Sequence, residues 1–138
     1  MPVRTSEATW EGDLRDGNGN LTVGDGVYEG AYTYASRFEQ GEGTNPEELI
    51  AAAHAGCYAM ALSNDLAGDG YDPDRVHAKA SVHLEEGAIS KIDIEVEAEV
   101  PGIDAEAFLE YAEDAKENCP VSVALGAVPE ITLSATLL

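Results

Sequence analysis

Cys57 and Cys119 are the two cysteines of a 138-residue chain. Thiolates are the strongest nucleophiles among protein side chains, and two thiols that meet can cycle through a disulfide. Apart from each other, both would be inert core thiols, because free cysteine is among the most buried residue types. Cys119 directly precedes Pro120, where a helix can open, and that end of a helix stabilises a thiolate. Cys57 sits inside an apolar, alanine-rich helix and gains no such help there. Its activation calls for a cation, and the chain has only 7 Lys and Arg. Arg37, beside Phe38, is the candidate. A guanidinium stays charged and can hold a thiolate steady. Glu47 could fix that guanidinium through a bidentate pair, or it could be an ordinary acidic residue at a helix start. Glu48, three after Asn45, reads as part of a cap.

Spacing constrains this set. Glu47 and Cys57 are ten positions apart, about 15 Å along a regular helix at 1.5 Å per residue. Either the first turn is irregular, or Glu47 serves the Cys57 of a partner subunit. His54, three before Cys57, shares its helix face and could polarise the thiol. No Asn or Asp is placed to orient it, so a satisfied core histidine is the simpler reading. His77 and His83 fall on the polar face of a strand. With Cys57 and His54 they could be imagined as zinc ligands, but no CxxC or HxxxH spacing supports a metal site. Tyr58, Met60 and Leu62 read as core.

The elements that must position these residues follow from periodicity. Thr5 to Glu11, Leu21 to Val23 and Val27 to Tyr34 read as strands, with a dense turn signal at Asp16-Gly17-Asn18-Gly19-Asn20. A loop through Gly41-Glu42-Gly43 leads to a helix capped by Asn45, with Pro46 first and Glu47 and Glu48 at the positive end of the dipole. This helix runs to about Leu66 and stops at Gly68-Asp69-Gly70. It is apolar nearly all round, which predicts burial on most sides, and a partner chain to cover it. Arg75 to Glu85 and Ile89 to Val100 alternate as a half-wet antiparallel hairpin around Glu86-Gly87. Asp104 can cap a helix to about Asn118, Val121 to Leu125 form a short one, and Ile131, Leu133, Ala135 and Leu137 alternate as a closing strand. The fold class is α+β with mainly antiparallel sheets.

One domain over residues 1–138 is the expectation for this length. The chain carries 27 acidic against 7 basic residues, a formal net charge of -20. Such a polyanion repels nucleic acid and anionic membrane surfaces, so no nucleic-acid or membrane partner is expected. The acids are spread along the chain, which suits a solvated acidic surface and, as one hypothesis, a high-salt host. Ordinary solubility through excess Asp and Glu is the alternative. No basic-then-apolar leader and no run of 18 apolar residues is seen, and two cysteines do not make a disulfide framework. A reducing cytoplasm is therefore the expected compartment.

Several stretches together resemble one family. They are Trp10-Glu11-Gly12-Asp13, Thr33 to Phe38, GTNPEELIAAAHAGCYAMALS (Gly43 to Ser63), PGIDAEAF (Pro101 to Phe108) and NCPVS (Asn118 to Ser122). In order and in context they resemble the OsmC/Ohr family of organic hydroperoxide reductases. The resemblance spans nearly the whole chain. It is closer to the OsmC branch through Arg-Phe-Glu at 37 to 39, His-Ala-Gly-Cys at 54 to 57 and Pro-Gly-Ile-Asp at 101 to 104. It implies an intertwined homodimer in which antiparallel sheets wrap long central helices. It implies that Cys57 is the peroxidatic thiol and Cys119 the resolving thiol, and that Arg37 and Glu47 are the activating pair. The implied chemistry takes a hydroperoxide to an alcohol through a Cys57 sulfenic acid and a Cys57–Cys119 disulfide. A small dithiol such as dihydrolipoamide, or a lipoylated protein, resets it, with no metal, haem or flavin. Trp10, Phe38, Phe108 and six tyrosines are the large aromatics available to an apolar pocket.

Two other classes compete with this thiol peroxidase. One is a non-catalytic dimer that holds an apolar ligand while its cysteines stay buried. The other is a thiol redox sensor that signals to a partner. A hydrolase built on Cys57 and His54 is more remote. Turnover with excess dithiol separates the first reading from the rest.

Overall fold

Ser6–Glu11 (β1), Asn18–Val23 (β2) and Tyr28–Tyr32 (β3) form an antiparallel meander in the order β1-β2-β3. The computed structural model describes residues 2–138. The chain divides into two compact units, one up to Leu49 and one from Ile50. The meander belongs to the first. Its register places Trp10 opposite Gly19, and Gly19 opposite Tyr32. A Cβ on Gly19 would stand 2.5 Å from the Tyr32 ring and 2.7 Å from the Trp10 indole. The glycine therefore lets the two rings close over the middle strand, with centroids 5.3 Å apart. This is why the turn expected at Asp16 to Asn20 is displaced. The turn lies over Leu14–Asp16, held by the Asp16 N–H donating to Asp13 Oδ1 at 2.7 Å, and Asn18 already belongs to β2.

The strand expected to reach Tyr34 ends at Tyr32. Thr33 caps a short helix, Tyr34–Phe38 (α1), where the sequence offered no element. Thr33 and Ser36 exchange backbone-to-side-chain hydrogen bonds at 2.8 and 3.1 Å, a capping box written Thr-x-x-Ser rather than with the usual Glu. The unusual fourth residue hid the helix from the sequence.

Helix α2 runs Pro46–Gly68. Asn45 caps it through a 2.8 Å bond from the Glu48 N–H, and its amide donates to the Glu48 carboxylate, so Glu48 is a capping residue. Within the second unit, the buried residues of α2 recur every fourth position: His54, Tyr58, Leu62 and Leu66. Tyr58, Leu62 and Leu66 pack with Ile92, Ile94, Val96, Phe108, Ala115 and Cys119 in one core. The opposite face, with Ala52, Ala53, Gly56 and Ala67, is exposed, and Met60 is 77% exposed. Burial on most sides, and Met60 as core, are thus not what this chain achieves alone. One sheet face and one helix cover only one stripe of α2.

That sheet contains Arg75–Glu85 (β4), Ala88–Glu99 (β5) and Glu130–Leu137 (β6) in the order β4-β5-β6. β4 and β5 form the expected antiparallel hairpin, with positive φ at both Glu86 and Gly87. A bulge breaks the register between His83 and Leu84. It resets the alternation so that Ile89 and Ile92 both reach the core. The closing strand β6 pairs parallel with β5, with Ile92 opposite Ile131. A parallel return needs a long crossover, which Ala105–Asn118 (α3) and Pro120–Ala124 (α4) provide. Asp104 caps α3 as expected, accepting from the Ala107 N–H at 2.8 Å. The class is α+β with mainly antiparallel pairing.

Candidate active site

The first unit builds a cation clamp. Arg37 sits in the last turn of α1, and Glu47 in the first turn of α2. The Ser36 hydroxyl donates to the Thr44 carbonyl at 2.8 Å, and the Asn45 amide donates to the Ser36 carbonyl at 2.9 Å. The Thr44 N–H donates to Ala31 at 2.9 Å, tying the same linker to β3. Gly43 permits this approach: its φ is +113°, and a Cβ there would lie 2.4 Å from the Ala31 oxygen. With both backbones fixed, Arg37 Nε donates to Glu47 Oε1 at 2.8 Å and Arg37 Nη2 to Oε2 at 3.2 Å. The bidentate pair expected from the sequence is present. Glu47 is buried while the Arg37 side chain is 36% exposed, so the carboxylate anchors and the guanidinium keeps open donors.

Arg37 also edges a cavity of about 400 Å³ lined by Trp10, Leu14, Tyr32, Thr33, Tyr34 and Phe38. Its wall is aromatic: the Tyr34 and Phe38 rings meet at a tilt with centroids 4.9 Å apart, and the Arg37 guanidinium lies 5.2 Å from the Phe38 centroid. An apolar body beside a fixed cation suits a molecule with a hydrocarbon part and one electronegative end.

The second unit brings the thiols together. Cys119 is 1% exposed and Cys57 is half-buried, and Cys57 packs against the core cluster that contains Cys119. The two thiols are near enough to affect one another's ionisation. Burial pushes the Cys57 thiol up, and the neighbouring Cys119 adds to this. The Val121 backbone, at the start of α4, pulls the other way. Cys57 therefore receives the backbone help that the sequence assigned only to Cys119. None of these influences is a cation.

Cys119 caps α4 with its sulfur, which accepts from the Ser122 N–H at 3.3 Å. The thiol lies 3.1 Å from the Ser122 hydroxyl, and that hydroxyl lies 2.7 Å from His54 Nε2. His54 is fully buried, and its Nδ1 has no hydrogen-bond partner. Desolvation holds its pKa below the ordinary imidazole value, so the ring is neutral near pH 7. The expected core histidine is thus only half satisfied. Ser122 is the residue sequence reasoning passed over, although it lies three positions after a cysteine that caps a helix. His77 is exposed, and His83 is spent on Asp93 at 2.7 Å. Among the described residues, no three His, Cys, Asp or Glu side chains are grouped to hold a metal.

Residues 39–134 match the family described as OsmC-like protein. This chain belongs to that family. It is 44% identical over 135 residues to "Peroxiredoxin OsmC" of Escherichia coli (strain K12), covering 94% of this chain and 93% of the relative. The crystal structure of the organic hydroperoxide resistance protein OhrB of Bacillus subtilis superposes with a TM-score of 0.65 at 25% identity, over 97% of this chain and 98% of that one. An OsmC-like protein from Mycoplasma pneumoniae, at 13% identity over 99% and 98% of the chains, shares the fold with a TM-score of 0.76. No helix among the described residues is long and apolar enough to cross a membrane.

Proposed function

We propose that this protein is a thiol peroxidase that reduces organic hydroperoxides to alcohols, with Cys57 as the attacking thiol and Cys119 as the resolving one. The observation that carries the reading is that α2 and α4 bring these two thiols into one cluster. The names of its relatives, a peroxiredoxin and organic hydroperoxide resistance proteins, support the same chemistry. The Cys57 thiolate attacks the distal peroxide oxygen, the O–O bond breaks, and the alkoxide leaves and takes a proton. Cys119 then attacks the Cys57 sulfenic acid, forming the disulfide and releasing water. A dithiol of the dihydrolipoamide type reduces the disulfide and is itself oxidised to a cyclic disulfide. No metal, haem or flavin enters these steps. The aromatic cavity beside Arg37 receives the organic part of the substrate.

A thiol raised by burial needs a cation, and Arg37, fixed by Glu47, is the one we assign to it. Ten helical positions between Glu47 and Cys57 favour supply of the pair from a partner subunit. The exposed small-residue face of α2, with Ala52, Ala53, Gly56 and Met60, is suited to close approach of a second copy. The reading is therefore of a homodimer, acting in the cytoplasm, with twice the chain mass in solution.

The test is peroxide consumption with a lipoyl dithiol, comparing cumene hydroperoxide with hydrogen peroxide. Faster turnover of the organic peroxide, lost in Cys57→Ser, is the expected result. Absence of turnover in the wild type at any salt concentration would overturn the proposal in favour of an apolar-ligand-binding dimer.

A further inference from the structure

Resetting a disulfide needs one sulfur to be attacked and the other to leave, and the burial of the two thiols fixes which is which. Cys57 is half-buried and reachable, whereas Cys119 is 1% exposed. An external thiolate can reach Cys57 Sγ and not Cys119 Sγ. Cys119 must then depart with the electron pair of the S–S bond, as a thiolate in an apolar core.

We infer that Ser122 and His54 are positioning residues for this departure: the Ser122 hydroxyl and amide receive the leaving Cys119 sulfur, and His54 orients the hydroxyl. The inference rests on the Cys57–Cys119 disulfide proposed above. Its geometry is a three-membered chain, with 2.7 Å from His54 Nε2 to Ser122 Oγ, 3.1 Å from Oγ to Cys119 Sγ, and 3.3 Å from the Ser122 N to the same sulfur. A neutral imidazole carries one N–H. If that proton sits on Nδ1, a donor is left buried without a partner. If it sits on Nε2, it donates to Ser122 Oγ, and only a lone pair is orphaned. The second arrangement is the cheaper one, since unpaired buried donors are the rarer defect. The reduced Cys119 thiol donates to Ser122 Oγ, but a departing thiolate has no proton to give, and the Ser122 hydroxyl then turns its own proton to that sulfur. Two donors then converge on the sulfur just where charge develops as the S–S bond breaks.

In the full step, one thiolate of the donor attacks Cys57 Sγ. The S–S bond breaks, Cys119 leaves as a thiolate, and a mixed disulfide forms on Cys57. The second donor thiol then displaces Cys57, so the donor loses two electrons and the protein gains two. No other oxidant or reductant enters.

The test separates the half-reactions by stopped flow on the full-length protein. The disulfide form is prepared with diamide, so its reduction by dihydrolipoamide is measured whether or not the peroxide step runs. Ser122→Ala should slow the reduction by about tenfold or more, the scale of one hydrogen bond to a charged group. Oxidation of the reduced protein by cumene hydroperoxide should stay within about twofold of wild type. Ser122→Thr, which keeps the hydroxyl, should restore the reduction rate, and His54→Leu should slow it where His54→Gln, which keeps a donor, does so less. Equal reduction rates in Ser122→Ala and wild type would overturn the inference. So would parallel slowing of both half-reactions, which marks a loosened fold, and so would a wild type that forms no Cys57–Cys119 disulfide with diamide. Failure of the peroxide step alone would overturn the peroxidase reading and leave this one standing.

Discussion

Glu47→Gln tests the cation clamp with the least change of shape. In the native pair, both guanidinium bonds to Glu47 are charge-assisted, at 2.8 and 3.2 Å, and Glu47 is only 9% exposed. Glutamine keeps one acceptor oxygen but turns the other into an NH2 group that faces an Arg37 N–H. One bond weakens to a neutral acceptor and the other is replaced by opposed donors. A buried charged pair would lose more, but the Arg37 side chain is 36% exposed and water recovers part of the loss. A cost of about 1–2 kcal/mol in guanidinium placement follows. At 1.36 kcal/mol per factor of ten, this corresponds to roughly 5- to 30-fold in kcat/KM for the hydroperoxide. That constant is measured by varying cumene hydroperoxide at saturating dithiol, well below the unfolding temperature. Arg37→Lys, which keeps the charge but loses the fork, should cost a similar amount. The double variant should be little worse than Arg37→Lys alone, because the two residues act as a unit. A Glu47→Gln protein with wild-type kcat/KM would refute the reasoning and return Glu47 to a residue that merely suits a helix start.

Cys119→Ser should consume about one equivalent of hydroperoxide and then stop, with Cys57 advancing to sulfinic acid by mass spectrometry; sustained turnover would remove Cys119 from the resolving role. His54 gives a pH dependence of stability. Its folded pKa is depressed by burial, so between that value and about 6.5 the unfolded chain binds more protons than the native one. Stability is complete above about pH 6.5 and falls as pH drops towards the folded pKa. Chemical denaturation between about pH 7 and 5.5 should show this loss, and His54→Gln should flatten it; an identical slope in both proteins would contradict the assignment. Finally, with 27 acidic and 7 basic residues, Tm should rise between 0.05 and 1 M NaCl as screening shortens from more than about 10 Å to about 3 Å. A rise of roughly 4 °C per kcal/mol of relieved repulsion is expected for this size, and a flat Tm would reduce the acidity to a matter of solubility.

Much of the fold was legible because it rests on signals that survive without tertiary context. The β4–β5 alternation, the Asn45 cap with Pro46, the Asp104 cap and the break at Pro120 all act through neighbours in sequence, and each element appears where its signal lies. The misplaced features each depend on a distant partner. Gly19 reads as a turn residue until Trp10 and Tyr32 close over it from the flanking strands. The α1 helix hides behind a Ser in the capping-box position, and Ser36 serves equally to hold the Thr44 carbonyl. The direction of β6 cannot be read from alternation, which is the same for parallel and antiparallel neighbours; the α3–α4 crossover decides it.

The site divides along the same line. Residue types put Cys57, Cys119, Arg37 and Glu47 forward only as candidates, and the resemblance to the OsmC/Ohr family is what gave them roles. Types alone could not name Ser122, since a serine after a Cys-Pro pair is ordinary. What singles it out is its place 2.7 Å from a buried imidazole and 3.1 Å from a buried thiol. Nor could they show that the Val121 backbone favours the Cys57 thiolate, because backbone groups leave no mark in a sequence. The short helix α4 thus bears on both sulfurs: its Ser122 amide and hydroxyl contact Cys119, and its Val121 backbone lowers the Cys57 thiol's pKa. Five residues from Pro120 to Ala124 are too few to be stable alone, so α4 holds its shape through its cap and its packing. Cys119 is that cap. Oxidation of Cys119 would therefore change the group that starts the helix, and α4 would couple that change to Cys57.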